Sequence, residues 1–369
     1  MYSETRKALN RLVGYLLGQG AAVRVYAPTI AEPAFPATGD LVSIPSVPMP
    51  FGRGEYRFPL ALSPRVRRDL AAFAPNVVHV SSPDLVGHRA VSWARARGIP
   101  AVASVHTRFE TYLQYYHLQM FEPAVRAILR RLYLRCDAIV APAESTAAIL
   151  RAQRMNKDIG IWTRGVDRAQ FNPARRSAEW RRAAGLADGD MAVAFLGRIV
   201  MEKGLDVFTD AIRAAGTRGV PLRVVVFGDG PARPWFEENL PKDSVFTGQL
   251  TGPDLATALA STDIFFNPSI TEAFGNVTLE AMACGLPVLA AEASGATNLV
   301  QDGRTGTLVT PLDTDGFADA LAAYQQDPAL RARHGEAGLA FAKTMDWDEI
   351  NAAVTRVYAR VIQRRRARP

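Results

Sequence analysis

Ser269-Ile270-Thr271-Glu272-Ala273-Phe274-Gly275-Asn276-Val277-Thr278-Leu279-Glu280-Ala281-Met282-Ala283-Cys284-Gly285-Leu286-Pro287-Val288 is the stretch that decides the fold. It follows an apolar run ending at Phe266-Asn267-Pro268, and Gly285-Leu286-Pro287 stops its helical part before a second run begins at Val288. Strand, loop, helix and strand in that order form a βαβ unit. A loop at the C-terminal end of such a strand is where open α/β sheets bind ligands. Gly275 lets the backbone come close to a ligand, and the helix starting near Asn276 offers free N–H groups to an anion. Glu280, one turn into that helix, is placed to accept hydrogen bonds from a ribose diol, and Glu272, on the loop, from a sugar. Two solvated carboxylates flanking a helix cap are the plain alternative.

A second constellation lies upstream. The apolar strand ending Phe195-Leu196-Gly197-Arg198 is followed by Glu202-Lys203-Gly204, which puts two cations five residues apart at the mouth of the sheet. A diphosphate leaving group gains negative charge as its bond breaks. Arg198 can grip two oxygens as a fork, and Lys203 adds a point charge. Two such cations can replace a divalent metal; two solvated loop residues are the alternative.

Outward from these motifs the strand and helix pattern recurs. Strand candidates are Val23–Tyr26, Leu41–Ile44, Val77–Val80, Ala101–Val105, Ala138–Val140 and Ile159–Trp162 in the first half. In the second they are Met191–Leu196, Leu222–Phe227, Val245-Phe246, Asp263–Phe266, Val288–Ala290 and Thr307–Val309. Helical stretches fall between most of them, including 64–73, 85–97, 123–134, 145–154, 204–215 and 276–284. The polar stretch Asp167–Asp190, with Pro173, Gly185 and Gly189, interrupts the alternation and marks the best domain boundary. The expected division is 1–165, 166–345 and a C-terminal helix, 346–369, that packs back on the first domain. A domain of this class opens with a strand and a Gly-rich turn, whereas this chain opens with a helix whose apolar residues are Leu9, Leu12, Val13, Leu16 and Leu17. The first strand and its Gly-rich loop are therefore expected to be missing. Because that strand normally lies centrally, its loss would leave a gap in the sheet.

A third constellation, Ser104-Val105-His106-Thr107-Arg108, ends a strand of the first half. Tyr112 and Tyr115 follow, aromatic rings suited to a sugar or a lipid headgroup and equally to helix packing. Arg126, Arg130 and Arg131 alternate with Ile128, Leu129 and Leu132, a basic amphipathic pattern that either lies on an anionic membrane or is an ordinary solvated helix face.

The chain's 369 residues, 48% hydrophobic and 21% charged, suit two folded domains and exclude intrinsic disorder. No apolar run approaches the ~20 residues of a membrane-spanning helix. No signal peptide is visible at the N-terminus and none is expected, and Cys136 and Cys284 stand far apart in unrelated contexts, so a cytoplasmic protein is expected. The net charge of +7 is uneven: +9 over residues 1–160, −8 over 161–350 and +6 in the tail. Such asymmetry speaks of partners rather than fold. Asp313-Thr314-Asp315 and Asp346-Trp347-Asp348 have a metal-binding form but read as turn and cap residues, so no metal site is expected. Gly228-Asp229-Gly230-Pro231 lacks the third glycine of a dinucleotide fingerprint.

These constellations, in this order, resemble family-4 retaining glycosyltransferases of the GT-B fold, two Rossmann-like domains facing a cleft. The similarity runs from about Val23 to the C-terminus. It also takes in Trp162-Thr163-Arg164-Gly165-Val166-Asp167 and Phe246-Thr247-Gly248. Within that family the chain resembles bacterial GDP-mannose-dependent α-mannosyltransferases and sulfoquinovosyl-diacylglycerol synthases, whose His-Thr element is similar to His106-Thr107. The resemblance implies a donor site of Gly197, Arg198, Lys203, Gly228, Gln249, Leu250, Glu272, Ala273, Phe274, Gly275, Asn276 and Glu280. Arg198, Lys203, Glu272 and His106 would serve the reaction. His106, Arg108, Tyr112, Tyr115, Arg126, Arg130 and Arg131 would face the acceptor or a membrane. The implied activity moves a hexose, mannose before others, from a nucleotide-diphosphate sugar to a lipid or glycan at the cytoplasmic membrane face. No cofactor, metal or nucleic acid is implied. A nucleotide-sugar 2-epimerase of the same fold is one alternative. A non-enzymatic membrane or nucleic-acid binder, including an inactive truncated transferase, is the other.

Overall fold

The computed structural model describes residues 2–29, 37–48, 57–106, 119–272, 274–293 and 295–367. Arg108, Tyr112, Tyr115 and Ala273 lie outside the described residues. The chain divides into two compact units, Met1–Thr163 with Trp347–Pro369, and Arg164–Asp346.

In the first unit four parallel strands form one sheet in the order β5 (Val78–Val80), β6 (Ala101–Ser104), β7 (Ala138–Ala141) and β8 (Ile159–Ile161). Two more parallel strands, β1 (Arg24–Ala27) and β2 (Asp40–Ser43), pair only with each other. Side chains alternate across the larger sheet, as strand geometry requires. Ala101, Ala103, Ile139 and Ala141 face a core with Leu70, Val91, Trp93, Leu129 and Leu132. Those residues come from α2 (Pro64–Phe73), α3 (Leu85–Arg95) and α4 (Glu122–Tyr133). Val102, Ala138 and Val140 face the other way, onto Ala8 and Leu12 of α1 (Tyr2–Gly18) and Val354, Val357 and Val361 of the C-terminal helix Trp347–Arg366. Arg360 of that helix donates to both carboxylate oxygens of Asp158, at 2.6 and 3.1 Å. A short antiparallel pair, β3 (Ser46–Pro48) and β4 (Arg57–Pro59), escapes the sequence pattern because each strand contains a proline, which tolerates only the edge of a ladder.

The second unit is one six-stranded parallel sheet. Its strands are β9 (Ala192–Leu196), β10 (Arg223–Phe227), β11 (Val245–Gly248), β12 (Ile264–Asn267), β13 (Val288–Ala291) and β14 (Gly306–Val309). Their spatial order is β11-β10-β9-β12-β13-β14. The chain thus winds outward from β9 in one direction and then returns to start β12 on the other side of β9. That is the doubly wound arrangement, with its topological switch point between β9 and β12. The core packs Phe195, Phe208, Phe236, Phe266 and Phe317, with Phe208 stacked on Phe266 at 4.7 Å between ring centroids.

The first crossing between units falls at Thr163/Arg164, so the polar stretch 167–190 folds onto the second unit. Its polarity is used internally. Arg181, buried on the short helix Ala178–Ala183, donates to Asp263 Oδ2 at 3.0 Å and to the carbonyls of Ser261, Ala187 and Asp190.

Candidate active site

Two loops leave the C-terminal ends of β9 and β12, one on each side of the switch point. The first runs from Gly197 through a single 3-10 turn, Met201–Lys203, to the helix Leu205–Thr217. The second runs from Pro268 to the helix Asn276–Ala283. Three contacts bind these loops together. Lys203 Nζ donates to Glu272 Oε1 at 2.7 Å, and Thr271 Oγ1 donates to the carbonyl of Glu202 at 3.2 Å. Gly204, at φ +74°, lies against the backbone of Pro268, where an added Cβ would stand 3.1 Å from the carbonyl oxygen. Both helices start from a glycine in the left-handed region, Gly204 for the first and Gly275, at φ +89°, for the second. An L side chain disfavours that conformation, so glycine is the residue that aims each helix N-terminus.

The structure brings the two sequence-read donor constellations into one place. Lys203 and Glu272 are in contact, with side-chain exposures of 27% and 11%. Arg198 is exposed on the same loop as Lys203, Phe274 and Gly275 are buried, and Asn276 and Glu280 are half-buried on the helix they begin. Gln249 and Leu250 follow directly on β11, exposed and half-buried respectively. Gly197 and Gly228 prove to have a mutual role. An added Cβ on Gly228 would stand 2.0 Å from the Gly197 carbonyl oxygen, and one on Gly230 would stand 2.3 Å from that of Ile199. The Gly-Asp-Gly-Pro segment thus seats the first loop, with Ile199 N donating to the carbonyl of Asp229 at 3.0 Å.

Sequence reasoning missed Asn267, the last residue of β12. Its buried side chain donates from Nδ2 to Glu272 Oε2 at 3.4 Å and to Thr278 Oγ1 at 3.3 Å, while its Oδ1 accepts from Ser269 N at 3.1 Å. A polar residue closing an otherwise apolar strand was the available signal.

His106 belongs to the first unit, two residues beyond β6. Its Nε2 is 2.7 Å from Ser104 Oγ, and its ring meets the buried Trp162 edge-on at 5.4 Å. Trp162 meets a second ring, His79 of β5, at 5.8 Å. Burial holds the His79 imidazole down to about 4, and its Nδ1 is hydrogen-bonded to the Tyr358 hydroxyl. Arg126, Arg130 and Arg131 lie exposed on α4 beside exposed Ile128 and Leu134, with Met120 and Phe121 exposed just before the helix. Both cysteines are buried, with thiols pushed up to about 12, so neither is a ready nucleophile. Asp313 caps a helix by accepting from Gly316 N at 2.9 Å. Among the described residues no three His, Cys, Asp or Glu side chains gather as a metal site, and no helix is long and apolar enough to cross a membrane.

A paired cation and carboxylate on two helix-led loops at the switch point place a candidate ligand site in a doubly wound domain. Comparison with known proteins places it further. Residues 7–170 match the model described as Glycosyltransferase Family 4, and residues 190–327 match Glycosyl transferases group 1. The chain is 35% identical to a GDP-mannose-dependent alpha-mannosyltransferase of Mycolicibacterium smegmatis over 97% of its own length and 94% of that protein's. It is 33% identical to the sulfoquinovosyl transferase SQD2 of Arabidopsis thaliana over 81% of its length, spanning 58% of that protein. Among solved structures it is similar to sucrose-phosphate synthase from Thermosynechococcus elongatus, with a TM-score of 0.77 at 19% identity, covering 96% of this chain and 92% of that one. The chain belongs to the family-4 glycosyltransferases of the GT-B fold. It is an enzyme that transfers a sugar from a nucleotide sugar.

Proposed function

We propose that this enzyme is a retaining mannosyltransferase that takes mannose from GDP-mannose and delivers it to a lipid or glycan hydroxyl at the cytoplasmic face of an anionic membrane. The observation that carries the donor side is the Lys203–Glu272 pair at the switch point, with Arg198 on the same loop. One cation there adjoins the carboxylate that accepts from sugar hydroxyls, so diphosphate and sugar are held by neighbouring groups. Glu280, on the helix led by Gly275, takes the ribose. Preference for mannose rests on the mannosyltransferase relative matched along nearly the whole chain.

In the reaction, the bond from the anomeric carbon to the diphosphate oxygen breaks. The acceptor oxygen bonds that carbon on the same face, and the acceptor's proton passes to the departing phosphate oxygen. Arg198 and Lys203 stabilise the charge that grows on the diphosphate, so no metal is needed. His106 serves the acceptor side. The membrane reading is supported by the exposed arginines and apolar side chains of α4 and the residues before it, a basic face with large apolar groups at its surface.

Calorimetry with GDP-mannose, UDP-glucose, GDP and UDP tests the donor, and mass spectrometry of lipid extracts incubated with the preferred donor tests the acceptor. Glu272→Ala and Lys203→Ala are each expected to abolish transfer with the melting temperature retained. Wild-type turnover by either variant would sink the site assignment. Interconversion of the nucleotide sugar with no acceptor present would point to an epimerase instead. Arg130→Glu with Arg131→Glu is expected to weaken sedimentation with phosphatidylglycerol vesicles; unchanged sedimentation would remove α4 from the membrane reading.

A further inference from the structure

The Glu272 carboxylate is held at both ends. Lys203 Nζ meets Oε1 at 2.7 Å, and Asn267 Nδ2 faces Oε2 at 3.4 Å. The orientation of the Asn267 amide follows from its other contacts. The atom 3.1 Å from Ser269 N must be the oxygen, because a backbone N–H can only donate. The nitrogen then faces Glu272 and Thr278, whose hydroxyl oxygen lies 3.3 Å away and whose side chain is fully buried. Asn267 ends β12, inside the sheet and paired with Ala290 of β13, so it carries the rigidity of a central strand into the loop. Gly295 lies close against the same side chain: an added Cβ there would stand 2.6 Å from Glu272 Cβ.

We infer that Asn267 is a positioning residue for the donor's sugar, acting through Glu272. Its amide N–H, anchored by Thr278 and oriented by Ser269, fixes which lone pairs of the Glu272 carboxylate remain for sugar hydroxyls. The inference rests on the reading of Glu272 as the sugar-binding carboxylate. Among the described residues no hydrogen bond joins Asn267 to Arg198 or Lys203, so its loss should change recognition of the sugar and leave recognition of the nucleotide intact.

Three variants separate the possibilities. Asn267→Leu removes both donor and acceptor. Asn267→Asp keeps the oxygen that accepts from Ser269 N and replaces the N–H aimed at Glu272 with a carboxylate oxygen that repels it. Thr278→Val removes the anchor of that N–H while keeping the side-chain volume. Each full-length chain is titrated by calorimetry with GDP-mannose and GDP, or with UDP-glucose and UDP if wild type prefers them. Nucleotide affinity within about twofold of wild type shows that the unit is folded. The advantage of the sugar nucleotide over the free nucleotide is expected to fall by about tenfold or more in both Asn267 variants, the size of a hydrogen bond to a charged group, and by about two- to fivefold in Thr278→Val. A retained advantage in Asn267→Asp, with loss only in Asn267→Leu, would overturn the inference by assigning the residue to the Ser269 turn alone. A retained advantage in both would overturn it outright. Glu272→Gln is the control for the underlying reading: if it keeps the advantage, the reading of Glu272 fails, whereas loss there with retention in the Asn267 variants condemns only the inference.

Discussion

The six parallel strands of the second unit lie in one sheet with β9 and β12 in its middle, whereas the parallel strands of the first unit lie in two separate sheets. β12 is buried along its whole length and β9 along all but its last residue; β1 is half-exposed at every position and β5 at two of three. The loops that carry Lys203 and Glu272 therefore hang from strands hydrogen-bonded on both sides. Strand edges β1 and β5 have a neighbour on one side only, among the described residues. Charges are also seated differently. In the second unit Arg181 and Asp263 are paired with side-chain exposures of 6% and 18%; in the first, Asp158 pairs with Arg360 and Arg364, whose exposures are 39% and 58%. A precisely held site needs pinned strands, and the strands paired on both sides and buried along their length are those of the second unit.

The contrast can be broken by experiment. Asp263→Ala leaves the Arg181 guanidinium buried without its carboxylate, and should cost about 3–5 kcal/mol in denaturant unfolding of the second unit. A loss below about 1 kcal/mol would show that the carbonyls around Arg181 suffice. Next in size is an acid effect in the first unit. His79 is buried neutral, held at about 4 against an ordinary 6.5. The unfolded chain takes up a proton as pH falls below 6.5 while the folded chain does not, so stability drops between pH 6.5 and about 4. The loss should approach about 3 kcal/mol and be reduced in His79→Phe, followed by urea melts across that range. Equal acid sensitivity in wild type and variant would exclude His79 as the source. Hydrogen exchange should then find open-edge amides of β1 and β5 exchanging at least about tenfold faster than those of β9 and β12. Equal protection would erase the distinction between the sheets. The smallest effect belongs to Asp158→Ala, about 1 kcal/mol, because its arginine partners keep access to water; a cost matching that of Asp263→Ala would show the C-terminal helix to be pinned as firmly as the second unit's core.

Much of this was legible along the chain. Short β-branched runs marked the parallel strands because a strand buried on both faces reads as continuous apolar sequence. Pro64 and Asn276 marked helix starts, and Glu272 and Lys203 stood out because charges beside glycines at strand ends have few structural uses. The internal use of Asp167–Asp190 was not legible, because polarity at a surface linker and polarity in a buried network such as that of Arg181 look alike in one dimension. The missing Cβ of Gly228 makes room for the Gly197 carbonyl, and sequence carries no sign of which backbone a glycine will meet. Asn267 was overlooked because its partners, Glu272 and Thr278, are close only once the loop turns back on the strand that carries it.

The order of apolar runs and glycines by itself determined the class: alternating strands and helices in two halves, with charged residues beside glycines at two strand ends. Local periodicity suffices for that, since each element's burial pattern repeats within a few residues. Only the tertiary structure decided that β9 and β12 are neighbours, because strand order depends on which crossovers the chain takes and no local pattern records it. From that adjacency came the contact between Lys203 and Glu272, residues 69 positions apart, and the Asn267 amide that steadies the carboxylate.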